Sequence, residues 1–422
     1  AAPNASDSTL PRGSGADEAM KKVLLVAPAC DGEDVGEAWV AFQWASRLAD
    51  RYDLTLLTTY KRGHTPMAEQ LPRVRVIEWQ EPPGVGRFER LNSLMQPGYA
   101  PFYARARRWI RKALAAGERF DVAHQVVPVA MRYPSPAVGL GIPFVIGPVG
   151  GSLDSPPAFA AEEGATPWYQ KLRSIDRWRM RHDVLMRRTY EGADCVVGVA
   201  DYVREFLSDL RLQRFEIMSE TAVETVHPPV DRTGRIGPVR LLHVGRIVRT
   251  KGLRDVIRAM DRLRDLDVVL DVLGDGNDRE ACEALIASLG LQDRVTLHGS
   301  VPRAVVDEFY EKADVFVFPS YREPGGNVSL EAMSWGLPVI VCRRGGPGAN
   351  VDDSCAFLLE SDSPTQLAED CAAAVRALVE DPALRIRMGE AGRRLVDDTH
   401  LWSGRLGRMG RLYDELAAAP SA

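Results

Sequence analysis

The 422-residue sequence has no apolar run close to the roughly 20 residues that a membrane-spanning helix requires. Its net charge is only −5, so the composition gives no general attraction to nucleic acid. The six cysteines include no Cys-x-x-Cys pair, and we expect them to be reduced in a cytoplasmic protein. His-Glu-x-x-His and clusters of cysteine with histidine are missing as well, so we expect neither a metal nor a cofactor.

What the sequence does contain is a regular alternation of apolar strands and amphipathic helices from Met20 onward. Short apolar runs separated by helical patterns indicate parallel sheets that helices cover on both faces. We therefore predict an α/β protein with two doubly wound, Rossmann-like domains that face each other across a cleft. Strands are predicted near residues 23–27, 54–58, 74–77, 122–123, 144–146 and 195–199 in the first domain, and near 240–244, 268–273, 295–297, 315–318 and 339–341 in the second.

Prolines and glycines between residues 227 and 238 interrupt the alternation and mark a linker. The predicted domains are residues 20–230 and residues 231–398. Residues 399–422 are predicted to form a final helix that can pack back on the N-terminal domain. Residues 1–19 are rich in Ala, Ser, Asp, Gly and Pro, and we expect a disordered extension there.

The stretch of residues 320–338 is the most informative part of the chain. It lies between two predicted buried strands and contains a glycine-bearing loop followed by a helix, for which Asn327 is a suitable N-cap. The free amides and the positive dipole end of that helix favour a phosphate or an electron-rich oxygen. Glu323 and Glu331 flank the loop and suit a ligand that also carries hydroxyl groups. A nucleotide sugar has both kinds of group.

Four motifs of the C-terminal half occur in the order typical of one enzyme family. They are Glu323 and Glu331 with seven residues between them, His243-Val244-Gly245-Arg246 with Lys251-Gly252, Leu273-Gly274-Asp275-Gly276, and His298-Gly299-Ser300-Val301-Pro302. Over most of residues 239–360 this pattern resembles glycosyltransferase family 4, the retaining nucleotide-sugar transferases of the GT-B fold. Asp121, His124 and the loop 147–151 are similar to the members that build exopolysaccharide, capsule or lipid-linked saccharides.

Arg246 and Lys251 are the predicted catalytic partners of the donor diphosphate, because fixed cations in a dry cleft stabilise the charge that develops on the leaving group. By resemblance, Glu323 contacts the donor sugar, and Glu331 accepts hydrogen bonds from the ribose hydroxyls. The other predicted donor-binding residues supply backbone contacts: Gly245, Gly299, Gly325, Gly326, Asn327 and Val328. Where many family members have Gly-Phe-Gly, this chain has Pro324-Gly325-Gly326, so the identity of the sugar stays open.

The N-terminal half is predicted to provide the acceptor side. His124 ends a predicted strand, and the resemblance implies a catalytic histidine that faces the donor sugar; a structural histidine is the alternative. The loops at residues 31–36 and 147–151 follow predicted strands, where parallel sheets bind ligands. We therefore expect Gly36, Gly150 and Gly151 to line the acceptor site.

Two segments of the N-terminal half are strongly basic. The second, residues 167–190, has seven lysines and arginines against two acids and includes Trp178. They are either solvated helix faces or a means of peripheral attachment to an anionic inner membrane leaflet. The first segment surrounds Trp109 and contains Arg105, Arg107, Arg108, Arg111 and Lys112.

The resemblance thus predicts a retaining, metal-independent glycosyltransferase of the hexosyltransferase type. It would move a sugar from a nucleotide diphosphate sugar to a hydroxyl of a saccharide or lipid-linked saccharide, in bacterial polysaccharide or glycolipid assembly. The expected partners are the nucleotide-sugar donor, this acceptor and an anionic membrane surface, but no nucleic acid. A nucleotide-sugar 2-epimerase and a non-catalytic nucleotide-sugar-binding scaffold are the alternatives. A dinucleotide oxidoreductase is disfavoured, since no Gly-x-Gly-x-x-Gly follows the first strand.

Overall fold

The computed structural model describes residues 20–34, 36–81, 98–163 and 173–418, apart from the side chains of residues 173–175. The predicted extension at residues 1–19 and the start of the second basic segment lie outside these ranges. All six cysteines are free and buried, as the sequence predicts. Within the described ranges, no helix combines the length and the apolar character that crossing a membrane demands.

The N-terminal half forms a seven-stranded parallel sheet in the order β3-β2-β1-β4-β5-β6-β7. All six residues of β5 are buried, which explains why the strands read as unbroken apolar runs: helices cover both faces of the sheet. The strands are β1 Lys22–Ala29, β2 Asp53–Tyr60, β3 Arg75–Gln80, β4 Val122–Gln125, β5 Phe144–Val149, β6 Cys195–Gly198 and β7 Phe215–Ile217.

The helices of this half are amphipathic. In the first of them, Ala41, Trp44, Ala45 and Leu48 repeat at helical spacing and are all buried against the sheet. The helices are α1 Glu37–Leu48, α2 Met67–Gln70, α3 Tyr99–Ala115, α4 Arg173–His182, α5 Val184–Glu191 and α6 Tyr202–Phe206.

The C-terminal half forms a six-stranded parallel sheet in the order β10-β9-β8-β11-β12-β13. The two doubly wound sheets confirm the predicted fold class. The strands are β8 Val239–Val244, β9 Val268–Leu273, β10 Val295–Gly299, β11 Val315–Phe318, β12 Val339–Cys342 and β13 Ala356–Leu359. The helices are α7 Leu253–Asp261, α8 Arg279–Ser288, α9 Arg303–Lys312, α10 Asn327–Ser334, α11 Gly345–Ala349, α12 Pro364–Glu380, α13 Pro382–Leu395 and α14 Trp402–Ala418.

Two strands were not predicted, β7 and β13, and both are edge strands of their sheets. An edge strand pairs on one side only, so it need not be apolar throughout. The three residues of β7 are only partly buried, and one of them is Glu216. Strand β7 therefore lacks the apolar run by which the inner strands were recognised. Strand β13 has such a run, Ala356–Leu359, and the sequence analysis overlooked it.

The two halves exchange elements across the cleft. Helix α14 packs on the N-terminal sheet, where Trp402, Met409 and Tyr413 share a core with residues of β1 and α1. In the other direction, Phe159 from the segment after β5 is buried in the C-terminal core, with its ring 4.1 Å from that of Tyr321. The two sheets are thus held together at both ends, and a cleft remains between them.

Candidate active site between the two sheets

The carboxyl ends of β8, β9 and β10 meet at one edge of the C-terminal sheet, and each of these strand ends has a glycine. Gly245, Gly274 and Gly299 have φ values of 155°, 128° and 74°. The Gly274 amide donates to the Gly299 carbonyl at 2.8 Å, and a Cβ on Gly274 would lie only 1.9 Å from the Gly245 oxygen. The predicted donor-binding residues Gly245 and Gly299 therefore lie where a parallel sheet binds its ligands.

Lys251 lies in a short turn that ends at Gly252. Gly252 has a φ of 78°, and a Cβ there would lie 2.3 Å from a carbonyl oxygen of the facing loop, so only glycine allows this close approach. The Lys251 side chain is buried. Its ammonium group pairs with the Glu323 carboxylate and lies 5.7 Å from the ring of Phe318. The structure thus brings together two of the predicted catalytic residues.

Arg246 and Arg249 are close in sequence but differ in exposure and in their ion pairs. Arg246 is exposed and forms no ion pair with any described residue. Arg249, which the sequence pattern did not single out, is buried and makes two parallel hydrogen bonds to Asp255, at 2.7 and 3.0 Å. Its Nε donates to Glu162 of the N-terminal half at 2.9 Å. Arg249 therefore joins the two halves, while the donors of Arg246 stay open to an anion.

The loop after β11 folds around Glu323. Its Oε1 accepts hydrogen bonds from the amides of Gly325 and Gly326, at 3.2 and 3.4 Å, while its Oε2 contacts Lys251. Gly326 has a φ of 76°, and a Cβ there would lie 2.7 Å from the backbone nitrogen of Pro347. Charge and backbone conformation together fix this loop at the start of α10.

Helix α10 begins at Asn327, and its N-cap is Gly326, so the prediction that Asn327 caps this helix is wrong by one residue. The left-handed conformation of Gly326 turns the chain into the helix without a side-chain cap. Asn327 Oδ1 instead accepts a hydrogen bond from the Thr221 hydroxyl. Thr221 belongs to the interdomain linker, which in the structure runs from the end of β7 to the start of β8, residues 218–238. The first amides of a helix have no partner within it, so those of Asn327 and Val328 suit a phosphate or a sugar oxygen.

Glu331 lies one turn into α10 and is partly buried. It forms an ion pair of 2.8 Å with Arg303 and accepts a hydrogen bond of 3.4 Å from the Tyr310 hydroxyl. Both contacts use Oε2. Among the described residues Oε1 has no such contact, and the acceptance of hydrogen bonds from the ribose hydroxyls stays a prediction.

A cavity of about 800 Å³ opens between the two halves. Gly36 and Gly151, both predicted for the acceptor side, line its N-terminal wall, and Asn327 and Glu331 line the opposite wall. Gly150 does not line it. A Cβ on Gly150 would lie 2.9 Å from the side chain of Val199, so this glycine lets the loop pack on the sheet.

Two further residues that line the cavity, Trp39 and Glu220, were missed by the sequence analysis. Trp39 lies in the first turn of α1 and is exposed, with its ring stacked on Phe42 at a centroid distance of 5.9 Å. A tryptophan on the polar face of an amphipathic helix was a signal that could have found it. Glu220 gave no such signal, because it lies in an irregular linker far from the other site residues in sequence.

Two family models match the chain and together span both halves. The model described as Glycosyl transferases group 1 matches residues 235–395, and the one described as Glycosyl transferase 4-like domain matches residues 35–218. Each half thus belongs to a glycosyltransferase family, and the chain is a glycosyltransferase.

Among curated relatives, the glycosyltransferase chain is 37% identical over 169 residues to the lipopolysaccharide core biosynthesis glycosyltransferase LpsD of Rhizobium meliloti (strain 1021), a match that covers 39% of this chain and 47% of LpsD. It is 32% identical over 230 residues to the D-inositol 3-phosphate glycosyltransferase of Thermobifida fusca (strain YX), which covers 48% of this chain and 52% of the relative. The chain thus spans about half the length of the curated relatives it matches.

Solved structures share the fold over nearly the whole chain. The sucrose-phosphate synthase from Thermosynechococcus elongatus has a TM-score of 0.64 at 21% identity and covers 95% of this chain and 100% of its own. HepE of Anabaena, in complex with UDP-glucose, has a TM-score of 0.59 at 17% identity, with 93% and 99% covered. At these identities the likeness shows the common architecture.

His124 does not face the cleft of this glycosyltransferase, which corrects the predicted contact with the donor sugar. It is fully buried, with Nδ1 2.6 Å from the Tyr413 hydroxyl and Nε2 bonded to the Gly147 carbonyl. Since a carbonyl only accepts, Nε2 carries the proton and Nδ1 accepts from Tyr413. Burial lowers the pKa of His124 to about 4, so the ring is neutral. His124 fastens α14 to the N-terminal sheet.

One group of acids and histidine in the described ranges could share a cation: Asp31, Glu33 and His64, whose ligand atoms lie within 4.8 Å of one another. Each already has a partner in the loops. His64 Nδ1 is 2.7 Å from Asp31 Oδ2, Gln70 donates to Asp31 Oδ1 at 3.1 Å, and Thr65 donates to Glu33 at 2.8 Å. These contacts connect the loop after β1 to the segment after β2. That the enzyme works without a metal ion stays a prediction.

Proposed function

We propose that this chain is a retaining glycosyltransferase that moves a sugar from a nucleoside diphosphate sugar to a hydroxyl of a saccharide or lipid-linked saccharide. The ion pair between the buried Lys251 and the partly buried Glu323, next to Pro324 of the cavity wall, is the observation that carries the proposal. The UDP-glucose complex of HepE supports the class of donor. The name of LpsD, a lipopolysaccharide core biosynthesis glycosyltransferase, supports the class of acceptor.

The pair provides one group for each half of the donor. A diphosphate that enters beside Lys251 competes with the Glu323 carboxylate for the positive charge of the Lys251 ammonium group. Arg246 and the first amides of α10 add further hydrogen-bond donors to the diphosphate. The released Glu323 carboxylate can then accept hydrogen bonds from the sugar hydroxyls. As the bond from the sugar to the phosphate oxygen breaks, the cations stabilise the charge that develops on the diphosphate. Two fixed cations can do this without a divalent ion.

The proposed stereochemistry is retention, which the family resemblance supports. The acceptor hydroxyl attacks from the face on which the diphosphate departs, and the departing phosphate oxygen takes the hydroxyl proton. The new glycosidic bond replaces the sugar–phosphate bond, and the nucleoside diphosphate leaves with the proton. No protein base is required for this transfer, which fits the burial of His124 away from the cleft.

A panel of nucleotide sugars screened by thermal shift, followed by transfer assays with saccharide acceptors, tests this function. We expect one donor to stabilise the protein and its sugar to appear on the acceptor with the anomeric configuration unchanged. Incubation of the donor alone separates the alternatives. A 2-epimerase converts the donor, whereas a transferase leaves it intact or hydrolyses it slowly. Tight donor binding with neither transfer nor conversion would indicate a scaffold.

We also propose that the protein works at an anionic membrane surface, which would bring it to a lipid-linked acceptor. Trp178 on α4 and Val184 and Leu185 on α5 are exposed apolar side chains in the second basic segment. Apolar side chains beside positive charges suit an interfacial contact. Helix α3 adds exposed basic residues that form no ion pair within the described part of the chain: Arg105, Arg108, Arg111 and Lys112.

Two residues of the first basic segment do not belong to this surface. Arg107 donates to the carbonyl oxygens of Pro136 and Val138, at 2.9 and 3.1 Å. Trp109 packs against Phe120, with the ring centroids 6.4 Å apart. Both therefore hold α3 on the sheet, and neither should be changed in a test of membrane binding.

Vesicle sedimentation tests the membrane contact. The protein should sediment with vesicles of phosphatidylglycerol and phosphatidylcholine at low salt, and much less at physiological salt, where charges are screened within about 8 Å. Serine at the four basic α3 positions should release it. The control changes four basic residues of the C-terminal half that have acidic partners: Lys312, Arg343, Arg387 and Arg394. Equal binding to pure phosphatidylcholine vesicles would contradict the proposal.

A further inference from the structure

Glu220 lies in the linker after β7. Across the cleft it faces the loop between β11 and α10, residues 319–326, which we call the donor loop. Its carbonyl oxygen accepts a hydrogen bond of 2.8 Å from the Trp44 indole on α1. The next residue, Thr221, donates its hydroxyl proton to Asn327 at the start of α10. The linker is therefore fastened to both halves, which gives the Glu220 side chain a fixed place between them.

The Glu220 carboxyl reaches the donor loop at Gly325. A Cβ on Gly325 would lie 2.7 Å from Glu220 Oε1, so any larger residue would displace the carboxyl. Glu220 lines the same cavity as Pro324 and Asn327. Within the described part of the chain, no ion pair or hydrogen bond engages this carboxyl. It is thus a polar group beside the cavity that is free to meet a ligand.

The charged groups that face Glu220 are negative. Glu323 on the donor loop and Glu37 on α1 act on it, and Lys251 is already paired with Glu323. On α6, burial and then the charge of Glu220 raise the pKa of the Tyr202 phenol. Burial, followed by the charges of Glu323 and Glu37, raises the pKa of Glu220 to about 8. The carboxyl is therefore a neutral acid at neutral pH.

We propose that Glu220 is a sugar-binding residue whose carboxyl group exchanges hydrogen bonds with a hydroxyl of the transferred sugar over residues 324–327. The inference rests on the proposed function, since it needs a sugar in the cleft. A carboxylic acid offers one donor and one acceptor, which matches a hydroxyl. An ionised carboxylate would place one more negative charge beside Glu323 and the donor diphosphate. The neutral acid binds the sugar without this repulsion.

Binding of a nucleotide sugar and of its own nucleoside diphosphate tests the assignment. The probe is the nucleotide sugar that stabilises the wild-type protein most in the donor screen, and the diphosphate is its sugar-free control. In calorimetry, Glu220→Ala should weaken nucleotide-sugar binding about tenfold, which corresponds to roughly one hydrogen bond. Binding of the diphosphate should not change. Equal weakening of both ligands, or of neither, would overturn the assignment.

The pH dependence separates sugar binding from a structural role. Glu220→Gln keeps a donor and an acceptor, so at pH 7 it should bind the nucleotide sugar within about threefold of wild type. Wild-type binding should weaken as the pH rises through about 8, because the carboxyl ionises, whereas Glu220→Gln should not show this loss. The control is Glu216→Gln on β7, whose carboxylate pairs with Arg214 and Arg408 and which should keep the wild-type profile. A loss at high pH that persists in Glu220→Gln contradicts the assignment.

The outcomes distinguish this inference from the proposed function. If no nucleotide sugar binds the wild-type protein, both fail. If the wild-type protein binds and transfers, while Glu220→Ala keeps the full preference for the sugar-bearing ligand, only the assignment of Glu220 fails.

Discussion

Two polar pairs lie on opposite sides of the cleft, and the sequence suggested a catalytic role for a member of each. On the C-terminal side, Lys251 pairs with Glu323 beneath the donor loop. On the N-terminal side, His124 is bonded to the Tyr413 hydroxyl and the Gly147 carbonyl. Both Lys251 and His124 are buried, so burial alone does not separate a ligand-binding group from a structural one.

What separates the pairs is whether a ligand could replace the partner. The Lys251–Glu323 contact joins opposite charges on two loops beside the cavity, and a diphosphate with a sugar could take up both. The partners of His124 are a β5 carbonyl and a phenol of α14, which no ligand can reach through the core. The first pair can therefore exchange its partners for a substrate, and the second can only hold the fold.

The largest effect should come from removing the cations of the donor side, Lys251 of the first pair and Arg246 near it. Lys251→Ala and Arg246→Ala should each lower kcat/KM by about 10²–10³, the usual cost of removing a charged contact to a developing anion. Circular dichroism and thermal unfolding should show a folded protein. Lys312→Ala, at an exposed lysine paired with Glu308, is the control and should retain activity. Near-normal transfer by the double variant would remove Arg246 and Lys251 from the mechanism.

Breaking the second pair should affect stability and spare catalysis. His124→Phe leaves the Gly147 carbonyl and the Tyr413 hydroxyl without a partner, which should lower the free energy of unfolding by about 1–3 kcal/mol. The value of kcat at saturating donor should stay within about threefold of wild type, because no donor contact is lost. Urea unfolding and initial rates measure the two quantities, and Tyr413→Phe serves as a milder variant.

The stability difference between wild type and His124→Phe should depend on pH in a definite direction. The pKa of His124 is lowered from 6.5 to about 4, so the folded state resists the proton that the unfolded state takes up. The contribution of His124 to stability is therefore complete above pH 6.5 and decreases as the pH falls toward 4. The stability gap between wild type and His124→Phe should shrink between pH 7 and pH 5. A constant gap would contradict the lowered pKa of His124. A loss of kcat as large as that of Lys251→Ala would return His124 to the active site.

The sequence singled out Lys251 and Glu323, although not the contact between them, and it misjudged His124 for a physical reason. The donor loop is built from local requirements: Gly252 and Gly326 have left-handed backbone and close contacts, and such needs appear directly in a motif. The role of His124 depends on Tyr413, which is 289 residues away in sequence. Glu220 likewise meets Gly325 from a distant part of the sequence, and the adjacent contact of Thr221 with Asn327 spans 106 residues. Tertiary contacts of this kind leave no trace in spacing, whereas the alternating pattern of strands and helices predicted both sheets.

A smaller effect is expected from Glu220 on stability. Its pKa is raised from 4.5 to about 8, so between these values the folded state keeps a proton that the unfolded state releases. Raising the pH through this window therefore lowers the stability of the wild-type protein. Glu220→Gln removes the effect and should raise Tm by about 2–4 °C at pH 8, with little change at pH 5. Glu216→Gln should not stabilise at pH 8, because its paired carboxylate is lost. A Tm shift independent of pH would mean that Glu220 is ionised at neutral pH.

Chelation of metal ions is expected to have no effect on the transfer rate. If Arg246 and Lys251 neutralise the diphosphate, EDTA should leave the transfer rate unchanged, and added Mg²⁺ or Mn²⁺ should not increase it. The measurement is the initial rate of a dialysed enzyme with and without the chelator, with Lys251→Ala assayed in parallel. A rate that EDTA abolishes and Mg²⁺ restores would show that a cation shares the diphosphate charge. In that case Asp31→Asn would ask whether the cation uses the Asp31, Glu33 and His64 group. If Mg²⁺ still restores the rate of Asp31→Asn, the cation binds at the donor phosphates instead. Arg246 and Lys251 would then not neutralise the diphosphate alone.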